Sequence, residues 1–471
     1  MIRLRSQFSL FASLSQRSVI QGSLYVSVAG LLAWLLGRML VSPSSALAAS
    51  LVLIGLCLLF TLKHPLEGLL LAIILYPFFR FFYLSVSVGE SVPDIDLGRL
   101  VVAMTFALTL ARGATRQRPL LRPTAVEAAM VLAVIGLGIS AVRGAPVTTS
   151  LKLLLDWHVI PYVIYYVVKN MTTDQKALHR VLWAVAFIGA YNGLYGIYTQ
   201  TTGHILFLPE EGLGNSLLWY SKSLRLMRGL LNSPHVFGLV FSLAIPVDFY
   251  LLIKGQTLHK KLLVALFLAL ALGGLFFTYK RTAWIATMGS FLVIQFFFPR
   301  FRRLFLVLFV VVGGFLALYW DQLSDSAVVT ERVDRKTDSL NGRTQLWDAA
   351  IAAWQQAPIL GYGRGQYRNN NGLIESHYLS TLVNAGLVGF VPFISVFILL
   401  LWSGFRLHRA RAPALFVEPD LAAIFLGVVV AYLISLYTVV MNNMFPHILL
   451  FLLAGAVVGS QEGILNQPST R

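Results

Sequence analysis

The run Gly342-Arg343-Thr344-Gln345-Leu346-Trp347-Asp348-Ala349-Ala350-Ile351-Ala352-Ala353-Trp354, followed by Ala357-Pro358-Ile359-Leu360-Gly361-Tyr362-Gly363-Arg364-Gly365-Gln366-Tyr367 and Glu375-Ser376-His377-Tyr378-Leu379, decides how the chain is read. It belongs to a segment, 321–390, that separates two apolar blocks. The first part is helix-forming and amphipathic, and Pro358 breaks it. The last part passes through Gly386-Leu387-Val388-Gly389-Phe390 straight into the next apolar run. Most of the polar chemistry of an otherwise oily chain is concentrated here.

The chain around this segment has 471 residues, 57% hydrophobic and 12% charged, where soluble domains carry about 25% charged residues. Apolar windows of ~20 residues recur from end to end, each long enough to cross ~30 Å of hydrocarbon. The expected fold class is therefore an all-α integral membrane protein with about 12–14 transmembrane helices and a large outer loop containing an amphipathic helix. A single cysteine, Cys57, excludes an intramolecular disulfide and a cysteine zinc cluster. No residue set has metal-ligand spacing, so no metal is expected. The net charge of +17 resides mostly in short loops, which argues for positive-inside topology and against nucleic acid.

Spans are expected near 22–41, 46–62, 65–83, 97–112, 124–142, 151–168, 180–199, 235–253, 261–279, 282–298, 303–320, 378–402, 420–440 and 446–461. Ala46-Leu47-Ala48 mimics a signal-peptidase site but lies inside a span, so the first helix is read as uncleaved. Basic clusters at Arg3/Arg5/Arg17, Arg112–Arg122, Lys169–Arg180, Lys254–Lys261, Arg300–Arg303 and Arg406–Arg411 then all fall on one side, which puts both termini in the cytoplasm. The opposite face carries two loops, near 200–234 and 321–376, far longer than the usual helix connection and expected to have a function. The chain divides accordingly into an N-terminal bundle (1–234), a core (235–320), the long loop (321–376) and C-terminal helices (377–471).

Several cations oppose the topological bias by sitting on that outer face: Arg143, Lys152, Arg225, Arg228, Lys280, Arg281, Arg343 and Arg364. A cation at the rim of an apolar span is costly unless it snorkels or is paired, and arginine offers a planar fork matched to phosphate oxygens. One by one they are explained by pairing with Glu210, Glu211, Asp321 or Asp325, or with lipid head groups. As a group they point to an anionic ligand at the outer face.

Four local patterns then resemble one family. They are Arg228-Gly229-Leu230-Leu231-Asn232-Ser233-Pro234-His235 before a span, and Tyr279-Lys280-Arg281-Thr282-Ala283-Trp284 at a helix start. The third is Gly342-Arg343 with the proline–glycine run 357–363. The fourth is Glu375-Ser376-His377-Tyr378-Leu379 with Gly386-Leu387-Val388-Gly389. Together, over about 225–390, they are similar to the O-antigen ligase and O-antigen/exopolysaccharide polymerase superfamily. That resemblance implies a metal-independent glycosyltransferase of the bacterial inner membrane, with no cofactor and its active site at the periplasmic face. The implied donor is an undecaprenyl-pyrophosphate-linked glycan; the acceptor is another glycan, lipid A-core or a protein. Membrane lipids are surrounding partners, and the resemblance also admits a chain-length regulator protein. The family's histidine position aligns with Glu375, with His377 two residues later, a departure that favours repeat-unit polymerisation over ligation.

Within that reading, Arg228 and Arg281 are the first choices to hold the pyrophosphate, Arg343 and Arg364 the second, with Lys280 assisting. Glu375 and His377 are the candidates for the base that deprotonates the acceptor. Two residues apart at a helix start, they face different ways, and the sequence leaves the choice open. His235 is read either as an acceptor-positioning residue or as the start of a span. Trp347 shares a helical face with Trp354 and either stacks on sugar rings or seats its helix on the membrane. Gly361, Gly363 and Gly365 suit a tight turn better than a phosphate cradle, and His158, near Asp156, is read as a packing residue. A transporter would require charges buried mid-span and an inverted repeat; of these only Asp156 stands out.

Overall fold

A computed structural model of the chain describes residues 43–78, 85–86, 95–115, 120–202, 230–231, 233–298, parts of 302–314, 336–367, 374–410, 417–438 and 443–465. The expected span at 22–41, most of that at 303–320, and most of the loop at 200–234 lie outside them. The protein is an all-α integral membrane protein, and every expected span that falls on described residues is a helix.

In chain order these are α1 (Pro43–Lys63), α2 (Pro65–Leu75), α3 (Leu97–Ala114), α4 (Ala125–Val142), α5 (Val147–Leu154), α6 (Ile160–Met171) and α7 (Gln175–Thr202). Then come α8 (Pro234–Lys254), α9 (Leu258–Phe277), α10 (Arg281–Phe297), α11 (Lys336–Gln356), α12 (His377–Arg409), α13 (Pro419–Thr438) and α14 (Phe445–Leu465). A π-turn, Leu155–Val159, joins α5 to α6, and a two-residue antiparallel ladder pairs β1 (Ser85–Val86) with β2 (Ile95–Asp96). Eight helices among the described residues are long and apolar enough to cross a membrane, with shorter apolar ones at 50–63, 65–78 and 445–459. Only His64 separates α1 from α2.

Local chemistry sets the boundaries. Thr124 and Glu127 form a capping box at α4. Asp96 caps α3 by accepting from the Arg99 backbone N–H at 2.7 Å. Pro65 and Pro234 stand at the first turns of α2 and α8, where a missing N–H costs nothing. Burial sorts the helices: α8 is 89% buried and forms the centre of the bundle, whereas α9, equally apolar, is 28% buried and turns Leu258, Leu262 and Leu266 outward. Asp156, the mid-span charge, is ion-paired with Arg99 of α3 at 2.7 Å. Asp248 of α8 is a second one; it is fully buried, and neither carboxylate oxygen has a hydrogen-bond partner among the described residues.

Candidate active site

The glycine-rich run 357–367 is built into a break in α12. Gly386, at φ 59°, interrupts that helix, so the amides of Leu387 and Val388 lose the carbonyls of Val383 and Asn384 four residues back. The loop replaces both pairs. Tyr362 N–H donates to Val383 O at 3.0 Å and Gly363 N–H to Asn384 O at 2.9 Å. Leu387 N–H donates to Pro358 O at 2.9 Å and Val388 N–H to Ile359 O at 3.1 Å. Irregular backbone at the edge of a membrane requires such substitution. A side chain on Gly386 would place its Cβ 2.3 Å from Ile359 O, and one on Gly363 2.5 Å from Arg143 O. The glycine run is therefore a turn whose Gly361 and Gly363 amides are already committed to carbonyls.

The same loop is tied to the end of α4. Arg364 N–H donates to Ser140 O at 3.1 Å, and Arg364 O accepts from Ala145 N–H at 3.0 Å. Arg143, one of the cations expected at the outer face, donates to Leu360 O at 3.0 Å and so anchors the loop. With its backbone held on both sides, Arg364 extends its guanidinium over the Trp157 ring, 4.3 Å from the centroid. Burial pulls its pKa down to about 10, which leaves it cationic at neutral pH. It makes no ion pair among the described residues.

These groups enclose a cavity of about 640 Å³ between the end of α4, α5, the π-turn, the loop and the first turns of α12. Arg364, Trp157, His158, Tyr367 and His377 line it, together with the hydroxyls of Ser150, Ser380 and Thr381. A π-turn presents its residues at a different angle from an α-turn and recurs at functional sites. Here it buries three successive side chains: Asp156 towards Arg99, and Trp157 and His158 against the cavity. His377 is the first residue of α12 and is 4% exposed; neither ring nitrogen has a hydrogen-bond partner among the described residues. Its ring lies 6.5 Å from Trp157 and 6.2 Å from His447, which is hydrogen-bonded to Tyr432. An anion in this cavity meets a cation with no ion pair among the described residues and the start of a helix, where the backbone dipole is positive.

The expected site residues divide into separate places. Arg364 and His377 share the cavity. Glu375 is exposed and does not line it. Lys280 caps α10 and Arg281 begins it, half-buried and exposed respectively, beyond Tyr279 at φ 49°. His235 stands at the same end of the neighbouring α8, where Ser242 Oγ donates to Ala283 O of α10 at 3.0 Å. This second cationic group does not line the cavity. Trp347 packs edge-on against Tyr437 of α13, with centroids 5.1 Å apart, and docks α11. Arg228 lies outside the described residues, as does the Arg343 side chain.

Trp157 was not legible as a site residue, and His158 read as packing. The signal was the polar–aromatic triplet Asp156-Trp157-His158 inside an apolar span. His447, just after Pro446 at the start of the last helix, carried a similar sign.

No curated protein matches the chain. Residues 266–394, which contain Lys280, Arg281, the glycine loop, Arg364 and His377, match the family described as O-antigen ligase. That segment, about a quarter of the chain, is similar to the O-antigen ligase and polymerase superfamily.

Proposed function

We propose that this protein transfers a glycan from an undecaprenyl-pyrophosphate carrier to a sugar hydroxyl at the periplasmic face, without a metal, in the cavity beneath the glycine loop. The observation that carries the proposal is Arg364: a half-buried cation with no ion pair among the described residues, stacked on Trp157 and lining the same cavity as His377.

The acceptor oxygen attacks the anomeric carbon while the bond from that carbon to the pyrophosphate oxygen breaks. Negative charge develops on the departing pyrophosphate, where a fixed guanidinium stabilises it most. The hydroxyl proton passes to a ring nitrogen of His377, since a general base must lie within hydrogen-bond reach of the proton it takes. Tyr367, half-buried at the cavity wall, offers a face on which a sugar ring stacks. Lys280, Arg281 and His235 form the second cationic group at the outer end of α8 and α10. Their proposed role is to hold the lipid-linked donor or the growing acceptor.

Polymerisation of repeat units is the first form of this activity. Ligation onto lipid A-core or a protein is the second, and one observation favours it: the histidine, not Glu375, lines the cavity. Purified protein given lipid-linked repeat units alone distinguishes the forms. Ladders of longer lipid-linked glycan identify a polymerase. Transfer only after lipid A-core is added identifies a ligase. Neither product, from well-folded protein, removes the glycosyltransferase reading.

A further inference from the structure

The end of the bundle opposite the cavity carries a second concave site. It is a hollow of about 490 Å³ between the start of α7, the end of α8 and the start of α9, lined by Lys176, His179, Arg180, Trp183, Lys254 and Lys260 among others. Its position is fixed by Lys254, which pairs with Glu418 and, at 2.8 Å, with Asp420, beyond the far end of α12.

The charges in this hollow are unequally committed. Arg180 is taken by Glu67 and Lys254 by the two carboxylates beside α13. Lys176 and Lys260 make no ion pair among the described residues. Glu67, Glu418 and Asp420 are thus already answered, and Asp174 accepts from the Ala177 backbone N–H, while the two lysines remain as positive charge facing a hollow.

What lies below them is apolar. On α7 the positions 176, 179, 183 and 187 recur at helical spacing on one face. On α9 the positions 260, 263 and 267 do the same. Down that seam Trp183 and Phe187 each meet Phe267 with centroids 6.1 Å apart, and Phe187 and Leu263 remain 43% and 44% exposed. The result is a groove with cations at the membrane rim and aromatic rings running into the span.

We infer that this groove is a binding site for an anionic phospholipid, its phosphate head group held by Lys176 and Lys260 and an acyl chain laid along Trp183, Phe187 and Phe267. A basic pocket between helices at the head-group level matches lipid phosphate in charge and depth. A soluble phosphate leaves the aromatic half unused, and an apolar partner helix has no need of the lysines. The site is independent of the proposed transfer reaction.

The test is a lipid titration of the delipidated, full-length protein, followed by native mass spectrometry. The probes are phosphatidylglycerol, phosphatidylcholine with the same chains, and inorganic phosphate in excess. Wild type is expected to prefer phosphatidylglycerol about tenfold, and inorganic phosphate to leave that lipid bound. The double variant Lys176→Gln/Lys260→Gln loses the preference, Lys176→Arg/Lys260→Arg keeps it, and Phe187→Ala weakens both lipids. Equal binding of the two lipids by wild type overturns the inference without recourse to any variant. Displacement by inorganic phosphate overturns it in favour of a soluble anion site, and an unchanged preference in the glutamine variant removes the two lysines from it.

Discussion

The Arg364 guanidinium lies 4.3 Å above the centre of the Trp157 ring, although one residue sits in the loop before α12 and the other on a π-turn inside a span. The ring supports the cation while leaving its N–H groups available, which a carboxylate partner would not. A cation–π contact of this kind is worth about 0.5–2 kcal/mol. Trp157→Ala is therefore expected to weaken binding of a lipid-pyrophosphate analogue by roughly 3- to 30-fold, with Trp157→Phe in between. Titration of purified protein with a fluorescent analogue measures it, and unchanged affinity in Trp157→Ala would show that the ring does not hold Arg364 for the ligand.

His377 and Glu375 stand two residues apart, one buried in the cavity wall and the other exposed. His377→Gln is expected to lower transfer by about 10²–10⁴-fold, the span of a lost general base. Glu375→Gln is expected to stay within about threefold of wild type, as an exposed substitution away from the chemistry does. Initial rates at saturating donor measure both; the reverse ranking would make Glu375 the base.

The loop and the broken helix hold each other in place. Gly386→Ala puts a Cβ 2.3 Å from Ile359 O at a left-handed φ of 59°. With ψ at −163° this backbone conformation is essentially restricted to glycine and costs another residue about 1–3 kcal/mol. A fall in thermal stability together with loss of transfer is expected, although neither Arg364 nor His377 is altered. A fully active, equally stable Gly386→Ala protein is incompatible with the loop filling the break.

The Arg99–Asp156 pair fixes the π-turn against α3, with both side chains mostly out of water. Arg99 keeps a second partner in Asp96 at 3.4 Å, so losing Asp156 is expected to cost less than the ~3–5 kcal/mol of a fully orphaned buried charge. Asp156→Ala is expected to melt well below wild type, and the double variant Arg99→Leu/Asp156→Leu to recover much of the loss. A double variant no more stable than Asp156→Ala would mean that the pair is not the constraint.

The spans and the motif region were legible from sequence because hydropathy and helix breakers are local. The turn reading of Gly361–Gly365 came through for the same reason. Burial was not legible: α8 and α9 have mean hydropathy of 2.2 and 2.0, yet one is 89% buried and the other 28%. Lipid and protein interior select the same side chains, so composition does not say which helix is central. The cavity was not legible either. It depends on contacts between residues far apart in the chain, Trp157 with Arg364 and Ser140 with Asn384, and no local pattern announces such pairs. Arg281, the stronger candidate by motif, and Arg364, the weaker, were separated only by which one lines the hollow with His377.

The measurement that tests the central claim most directly is transfer from undecaprenyl-pyrophosphate-linked repeat units by purified wild type, Arg364→Ala, Arg364→Lys and Arg281→Ala. Lost stabilisation of a developing anion costs about 10²–10³-fold. Arg364→Ala is predicted to fall by that amount, with Arg364→Lys between it and wild type because lysine keeps the charge without the planar fork. Full activity in Arg364→Ala, with Arg281→Ala inactive, would contradict the account and move the pyrophosphate site to the outer end of α8 and α10.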